Sequence, residues 1–190
     1  MPSGYTSDLP DDILLDVAVL SRDVGGTPTV FGVSRGGLTF RPTIEYRNVE
    51  FDGKRSDIEL LDRVIKRGGE ISGTFIQLGL AQLNDLEPGS TVGTVTATDF
   101  NTYTITPAAA SALLVAGDYT DNLMMTFQRG GGGTATVKFA KALCTQYEIS
   151  GQDNSEAEVQ ATFATRLGAT VAATSTDTAP YEIIRTEPVA

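Results

Sequence analysis

Few residues of this chain could carry chemistry. Histidine is absent, which excludes a Ser–His or Cys–His nucleophile, a His-ligated metal and an imidazole acid–base. A lone cysteine, Cys144, excludes an intrachain disulfide and a four-cysteine zinc site. Alternation places Cys144 in the polar register of its strand, and Gln146 and Glu148 beside it offer nothing to lower a thiol pKa. Glu156 and Glu158 fall on one face of a strand. Two carboxylates on one face can serve glycoside hydrolysis, but that reaction needs a cleft, usually with aromatic platforms, and tryptophan is absent. Gly130–Gly133 before Thr134 lacks the Lys-Ser/Thr pair and the helix of a phosphate-binding loop, so it reads as a turn. Asp52-Gly53, Asp118 with Asp121, and Asp153 with Glu156 are acidic loop pairs, and none matches a calcium-binding loop. No constellation supports an enzyme, a metal or a cofactor, and a binding or structural role remains.

The scaffold that carries these residues is limited by size and charge. With 190 residues, the whole of 1–190 fits a single domain with 1–12 as an N-terminal arm. Apolar residues make up 41% and charged ones 20%, enough for a packed core. The formal charge of −10 argues against electrostatic binding of nucleic acid. Charge is uneven: residues 35–67 hold eight basic and six acidic residues, whereas 68–128 hold six acids and no base. Such alternation is compatible with self-association through complementary patches, but charge alone reads first as an ordinary solvated surface. The start of the chain has no basic stretch followed by an apolar one, and Ala108–Gly117, its most apolar window, is far short of a membrane span. The expectation is a soluble chain made in a cytoplasm.

Period-two alternation dominates. Leu38, Phe40, Pro42, Ile44 and Tyr46 alternate with Thr39, Arg41, Thr43, Glu45 and Arg47, a half-buried strand whose Pro42 points to an edge or a bulge. Ala135, Val137 and Phe139 start a second pattern that resumes at Leu143, Tyr147 and Ile149, with Lys141 and Thr145 as breaks. After the turn signal at Gly151–Asn154, Ala157, Val159, Ala161 and Phe163 alternate with polar residues, so 134–167 reads as a long hairpin. Shorter strand signals occur at Ile13–Leu20, Thr29–Val33, Ile58–Ile65, Glu70–Phe75, Thr91–Thr98, Leu123–Gln128 and Tyr181–Arg185. Helical spacing is limited to two places. Ile76, Leu80, Leu83 and Leu86 precede a stop at Glu87-Pro88-Gly89, and Thr106-Pro107 precedes an apolar run over Ala108–Val115. Residues 46–57 form a charged loop, longer than most hairpin connections. The class is mainly β, a sandwich or barrel with a flanking helix.

The stretch from Leu38–Tyr46 through Val49-Glu50-Phe51-Asp52-Gly53 and Leu60-Leu61-Asp62-Arg63 to Glu70–Leu78 resembles the tail tube proteins of long-tailed bacteriophages. Tyr147–Gly151 running into Glu156–Val159 is similar to that family's closing strands. The four-glycine turn and Thr102–Tyr119 match nothing in the family pattern.

The resemblance implies a structural virion protein that forms hexameric rings. The rings stack head to tail around a channel that a tape measure protein fills first and DNA later crosses. It implies tail-tip and terminator proteins as further partners, no membrane, and a place in the virion tail after assembly in the host cytoplasm. On that reading 46–57 is an inter-subunit loop, with Arg47, Glu50, Asp52, Lys54, Arg55 and Asp57 as contact candidates toward acids such as Asp8, Asp11 and Asp12. Glu148, Glu156, Glu158 and Gln160, in the polar register of the hairpin, are the candidates that face the lumen, where like charge would keep phosphates off the wall. The residues alone also leave open another virion β-protein, such as a capsid decoration or tail-tip module, and a carbohydrate-binding sandwich. Self-assembly into rings or long polymers separates a tube protein from a binding module, which stays small and usually presents an aromatic platform.

Overall fold

The computed structural model describes residues 14–24, 26–48, 62–96, 100–130, 132–151, 156–167 and 179–187. Ten strands run in chain order: β1 Leu14–Val24, β2 Thr27–Val30, β3 Gly32–Asn48, β4 Asp62–Leu78, β5 Thr91–Thr96, β6 Asn101–Thr106, β7 Thr120–Arg129, β8 Thr134–Ser150, β9 Glu158–Arg166 and β10 Tyr181–Thr186. One α-helix, α1, spans Leu80–Leu86, and a 3-10 turn spans Ala116–Asp118. The mainly β class with one flanking helix is thus as expected.

Eight strands form one antiparallel sheet in the order β2-β1-β7-β8-β9-β4-β3, with β10 beside β8. Only Phe31 separates β2 from β3, so the two are halves of one bent strand. The first half pairs with β1 and the second with β4, which closes the sheet on itself like a barrel. Closure depends on Gly32. A Cβ there would lie 2.4 Å from the Gln77 carbonyl oxygen, a backbone atom that cannot step aside.

The core is a set of cross-strand rows. Phe40, Ile71, Phe163 and Cys144 lie side by side across β3, β4, β9 and β8. The Phe31 ring centroid is 5.4 Å from that of Phe75 and 5.1 Å from that of Phe163. Phe31, Phe75, Phe139 and Phe163 are fully buried, each contributing roughly 1.5–3 kcal/mol by leaving water.

Four expectations change. Cys144 is buried, not in the polar register. Buried positions in β8 pass from odd (Val137, Phe139) to even (Ala142, Cys144) where its neighbour changes from β10 to β9. A bulge between Cys144 and Gln146 then restores the outer register. Residues 107–115 do not form a helix. An Ala-rich run of that length is marginal by itself, and little of it is covered: only Ala108 and Leu114 are half-buried, and Leu113 is 93% exposed. Ile58–Ile65 and Glu70–Phe75 are not separate strands: their described parts belong to β4, where Gly68 and Gly69 lie opposite Thr43 and Pro42. Ile76 belongs to β4 as well, and α1 starts at Leu80.

Among the described residues no helix is long and apolar enough to cross a membrane.

Candidate assembly surfaces

The sheet formed by β3, β4, β9 and β8 has one apolar face against the core and one polar face. Thr39, Ser72, Thr162 and Gln146 form one row of the polar face, and Arg35, Thr74, Gln160 and Glu148 form the next. These two rows floor a groove of about 370 Å³. Glu148, Glu158 and Gln160 therefore share one face, with Glu148 directly opposite Gln160 and Glu158 opposite Ser150. Glu156 precedes β9, and Arg35 joins it to Glu158 at 3.4 and 2.9 Å. The structure thus brings all four polar-register candidates together, and it adds a cation the sequence reading did not single out. Arg35 stands next to Gly36 and Gly37, two inserted residues with φ of 78° and 89° between the Arg35–Thr74 and Leu38–Gly73 pairs. An insertion of two preserves the alternation, so Arg35 and Thr39 face the same way. The Gly-Gly pair after Arg35 was the available signal.

The second surface is an arm. β3 and β4 have 17 residues each, but β9 accompanies β4 only over Glu70–Phe75. The outer parts, Arg41–Asn48 and Asp62–Arg67, pair only with each other, and all but Ile44 and Asn48 are exposed. Tyr46 and Ile65 are 62% and 60% exposed. Arg47 lies in β3 directly opposite Arg63. It is a strand residue, which corrects its place in a loop over 46–57. Like charges in opposite positions repel, and among the described residues neither guanidinium meets a carboxylate. Lys66 and Glu45 do pair, at 3.5 Å. Glu50, Asp52, Lys54, Arg55 and Asp57 lie outside the described residues, as do Asp8, Asp11 and Asp12.

The remaining titratable groups have local roles. Asp118 accepts the Val115 N–H at 2.6 Å, and Asp121 pairs with Lys141. Among the described residues no group of acids, cysteines or histidines could hold a metal ion. Burial pushes the Cys144 thiol up to about 11, which keeps it protonated at neutral pH. The helix α1 is fastened from three sides. Arg22 of β1 pairs with Asp85, the Gln82 amide donates to the Val30 carbonyl at 3.4 Å, and the Tyr147 hydroxyl donates to Glu87 at 2.6 Å.

No protein-family model and no curated protein matches the sequence. Among solved structures, the chain is similar to one from the tail of an empty GTA particle refined with C6 symmetry. The identity is 12% and the TM-score 0.44, over 80% of this chain and 92% of that one. It is also similar to a chain from the virion of a native gene transfer agent particle. There the identity is 10% and the TM-score 0.42, over the same shares of the two chains. At these identities no residue role transfers.

Proposed function

We propose that this chain is the wall subunit of a phage tail tube: a non-enzymatic protein that closes into hexameric rings, which stack head to tail into a conduit for DNA. The observation that carries the reading is the β3–β4 arm. A two-stranded ribbon with no third strand is marginal in water. This one also holds exposed Tyr46, Val64 and Ile65 and sets Arg47 against Arg63. Such an arm is stabilised by docking on an acidic surface of a neighbouring copy. The chain's acidic balance supplies that surface, with the N-terminal Asp8, Asp11 and Asp12 as candidates. Because arm and receptor are different surfaces, the contact is head to tail, and it stacks rings without end where its rotation does not close.

On this reading the polar face of β3-β4-β9-β8 lines the lumen. Its carboxylates Glu148, Glu156 and Glu158 outnumber the cation Arg35, so the face is net negative and repels phosphates. The tape measure protein would lie against this face during assembly. Tail-tip and terminator proteins would cap the two ends.

Negative-stain microscopy of the purified protein tests the reading. Sixfold rings or tubes are expected, and a compact monomer at high concentration refutes it. Reversing both arm cations (R47E with R63E) should leave isolated rings in place of tubes. Unchanged tubes from that variant, or from one lacking residues 48–56, refute the arm as the stacking device.

A further inference from the structure

The hairpin of β5 and β6 forms a two-stranded sheet apart from the main one. Its residues pair one to one from Thr91–Thr106 to Thr96–Asn101. All are exposed except Ile105, which is half-buried. Among the described residues no third strand lies beside either edge. The base is held in place, since Gly89 (φ 76°) packs against Leu114 and Ala108. Ser90, just before β5, donates its hydroxyl to Asn84 of α1 at 2.8 Å.

Neither strand contains a charged residue or a proline. Natural edge strands usually carry such residues to block pairing with another chain. The other exposed edges of this protein follow that rule. β3 carries Arg35, Arg41, Glu45 and Arg47, and β10 carries Glu182 and Arg185. Docking the neutral hairpin on those edges would desolvate charges without offsetting them. A copy of the same neutral strand carries no such cost.

The sequence of β6, Asn101-Thr102-Tyr103-Thr104-Ile105-Thr106, is also complementary to itself. Residues directly opposite in an antiparallel pair share a face. In a self-pairing centred on Thr104, Thr102 meets Thr106 of the second copy and Thr104 meets its own counterpart. On the other face Tyr103 meets Ile105. Thr–Thr and aromatic–β-branched pairs are the favourable kinds of cross-strand neighbour. A shift by one residue in either direction sets the threonines against Asn101, Tyr103, Ile105 or Pro107 and loses this match. In β5, Gly93 and the mixed order of Thr and Val give no such register.

We propose that β6 is a self-association edge: it pairs antiparallel with β6 of a second copy, centred on Thr104, so that two hairpins form one four-stranded sheet between subunits. The contact is two-fold, so it is not one of the head-to-tail contacts of a tube. It joins free subunits, or one assembly to another side by side.

Cysteine cross-linking in a C144A background tests the register. T104C should oxidise to a disulfide-linked dimer, doubling the mass on non-reducing electrophoresis. Y103C and I105C should each stay single alone and link when mixed. A T102K/T106K pair added to T104C should abolish the dimer while leaving the far-ultraviolet circular dichroism spectrum unchanged. Equal linking of T104C, Y103C and I105C, or of T104C and an exposed control such as T186C, would mean random collision and overturn the proposal. So would an absence of linking by T104C. Tubes from a protein whose T104C does not link would reject the hairpin contact alone. A linked dimer from a protein that never forms rings would reject the tube alone.

Discussion

Replacing Asp85 by asparagine should remove a stability loss that the native protein suffers as pH rises through the acid range. Asp85 sits on α1 with its side chain 15% exposed, paired with Arg22, which is 17% exposed. Both line a cleft with Asp23, Tyr119, Thr120, Asp121 and Asn122. Burial disfavours the charged carboxylate more than Arg22 favours it, and the Asp85 pKa rises from 3.8 to about 6. A raised carboxyl pKa means that the folded state holds its proton more tightly than the unfolded chain. The resulting stability is fully present below 3.8 and is lost as pH climbs to about 6. A shift of about two units corresponds to about 3 kcal/mol, and at this burial solvent screening takes little from it.

Urea unfolding followed by far-ultraviolet circular dichroism measures this, because there is no tryptophan to report by fluorescence. Dilute protein keeps association out of the measurement. The stability of the native protein minus that of D85N should fall by about 3 kcal/mol between about pH 3.5 and about pH 6.5, then stay level. R22M should enlarge the fall, because the attraction that lowers the Asp85 pKa is gone. A difference that stays flat, or rises with pH, would mean that the ion pair outweighs burial and would refute the reasoning.

Three further outcomes follow from the fold. G32A should destabilise by roughly 1–3 kcal/mol in urea unfolding, since its Cβ meets the Gln77 carbonyl and the Leu78 side chain where the barrel closes; an unchanged midpoint would contradict the closure described. F163A removes a fully buried ring from the central row and should cost roughly 3–5 kcal/mol by the same assay. Cys144 should react with a disulfide reagent at neutral pH only once urea unfolds the chain, because burial holds the thiol protonated and covered; rapid reaction in buffer would refute its burial.

Where alternation is uninterrupted, the sequence reads directly as structure. Leu38–Tyr46 falls in β3, and the 134–167 hairpin is β8 with β9, because Leu38 and Phe40 in β3, Val137 and Phe139 in β8 and Ala161 and Phe163 in β9 turn one face to the core. Cys144 was misplaced because two phase changes bracket it, at the exchange of β10 for β9 and at Thr145. Lys141 and Thr145 break the pattern at those points, but a break does not disclose which way the register moves. Gly68-Gly69 reads as a strand end, yet Gly69 is buried in mid-strand, where a Cβ would come within 2.8 Å of the Phe40 ring. The surfaces were less legible than the core. β6 was missed because its alternation of Tyr103 and Ile105 with threonines spans only six residues and offers just two apolar positions. Arg35 escaped notice because its two carboxylate partners, Glu158 in β9 and Glu156 just before it, lie far along the chain.

The two bare ribbons differ in a way that fixes the kind of contact each can make. The β3–β4 arm sets Arg47 against Arg63 at its outer end. Pairing it with its own copy would gather more cations at one place, so on the proposed reading its partner is a different, acidic surface, and a contact between unlike surfaces stacks without end where its rotation does not close. The β5–β6 hairpin carries no charge along its strands, and a match between Thr and Thr, Tyr and Ile is available only with itself. Its contact closes after two copies. Charge on an unpaired strand thus separates an open polymer from a closed pair. Introducing lysines into β6 and removing cations from the arm should therefore affect different assemblies, the first abolishing side-by-side pairing and the second stacking. Loss of both by either change would show that the two surfaces are one interface.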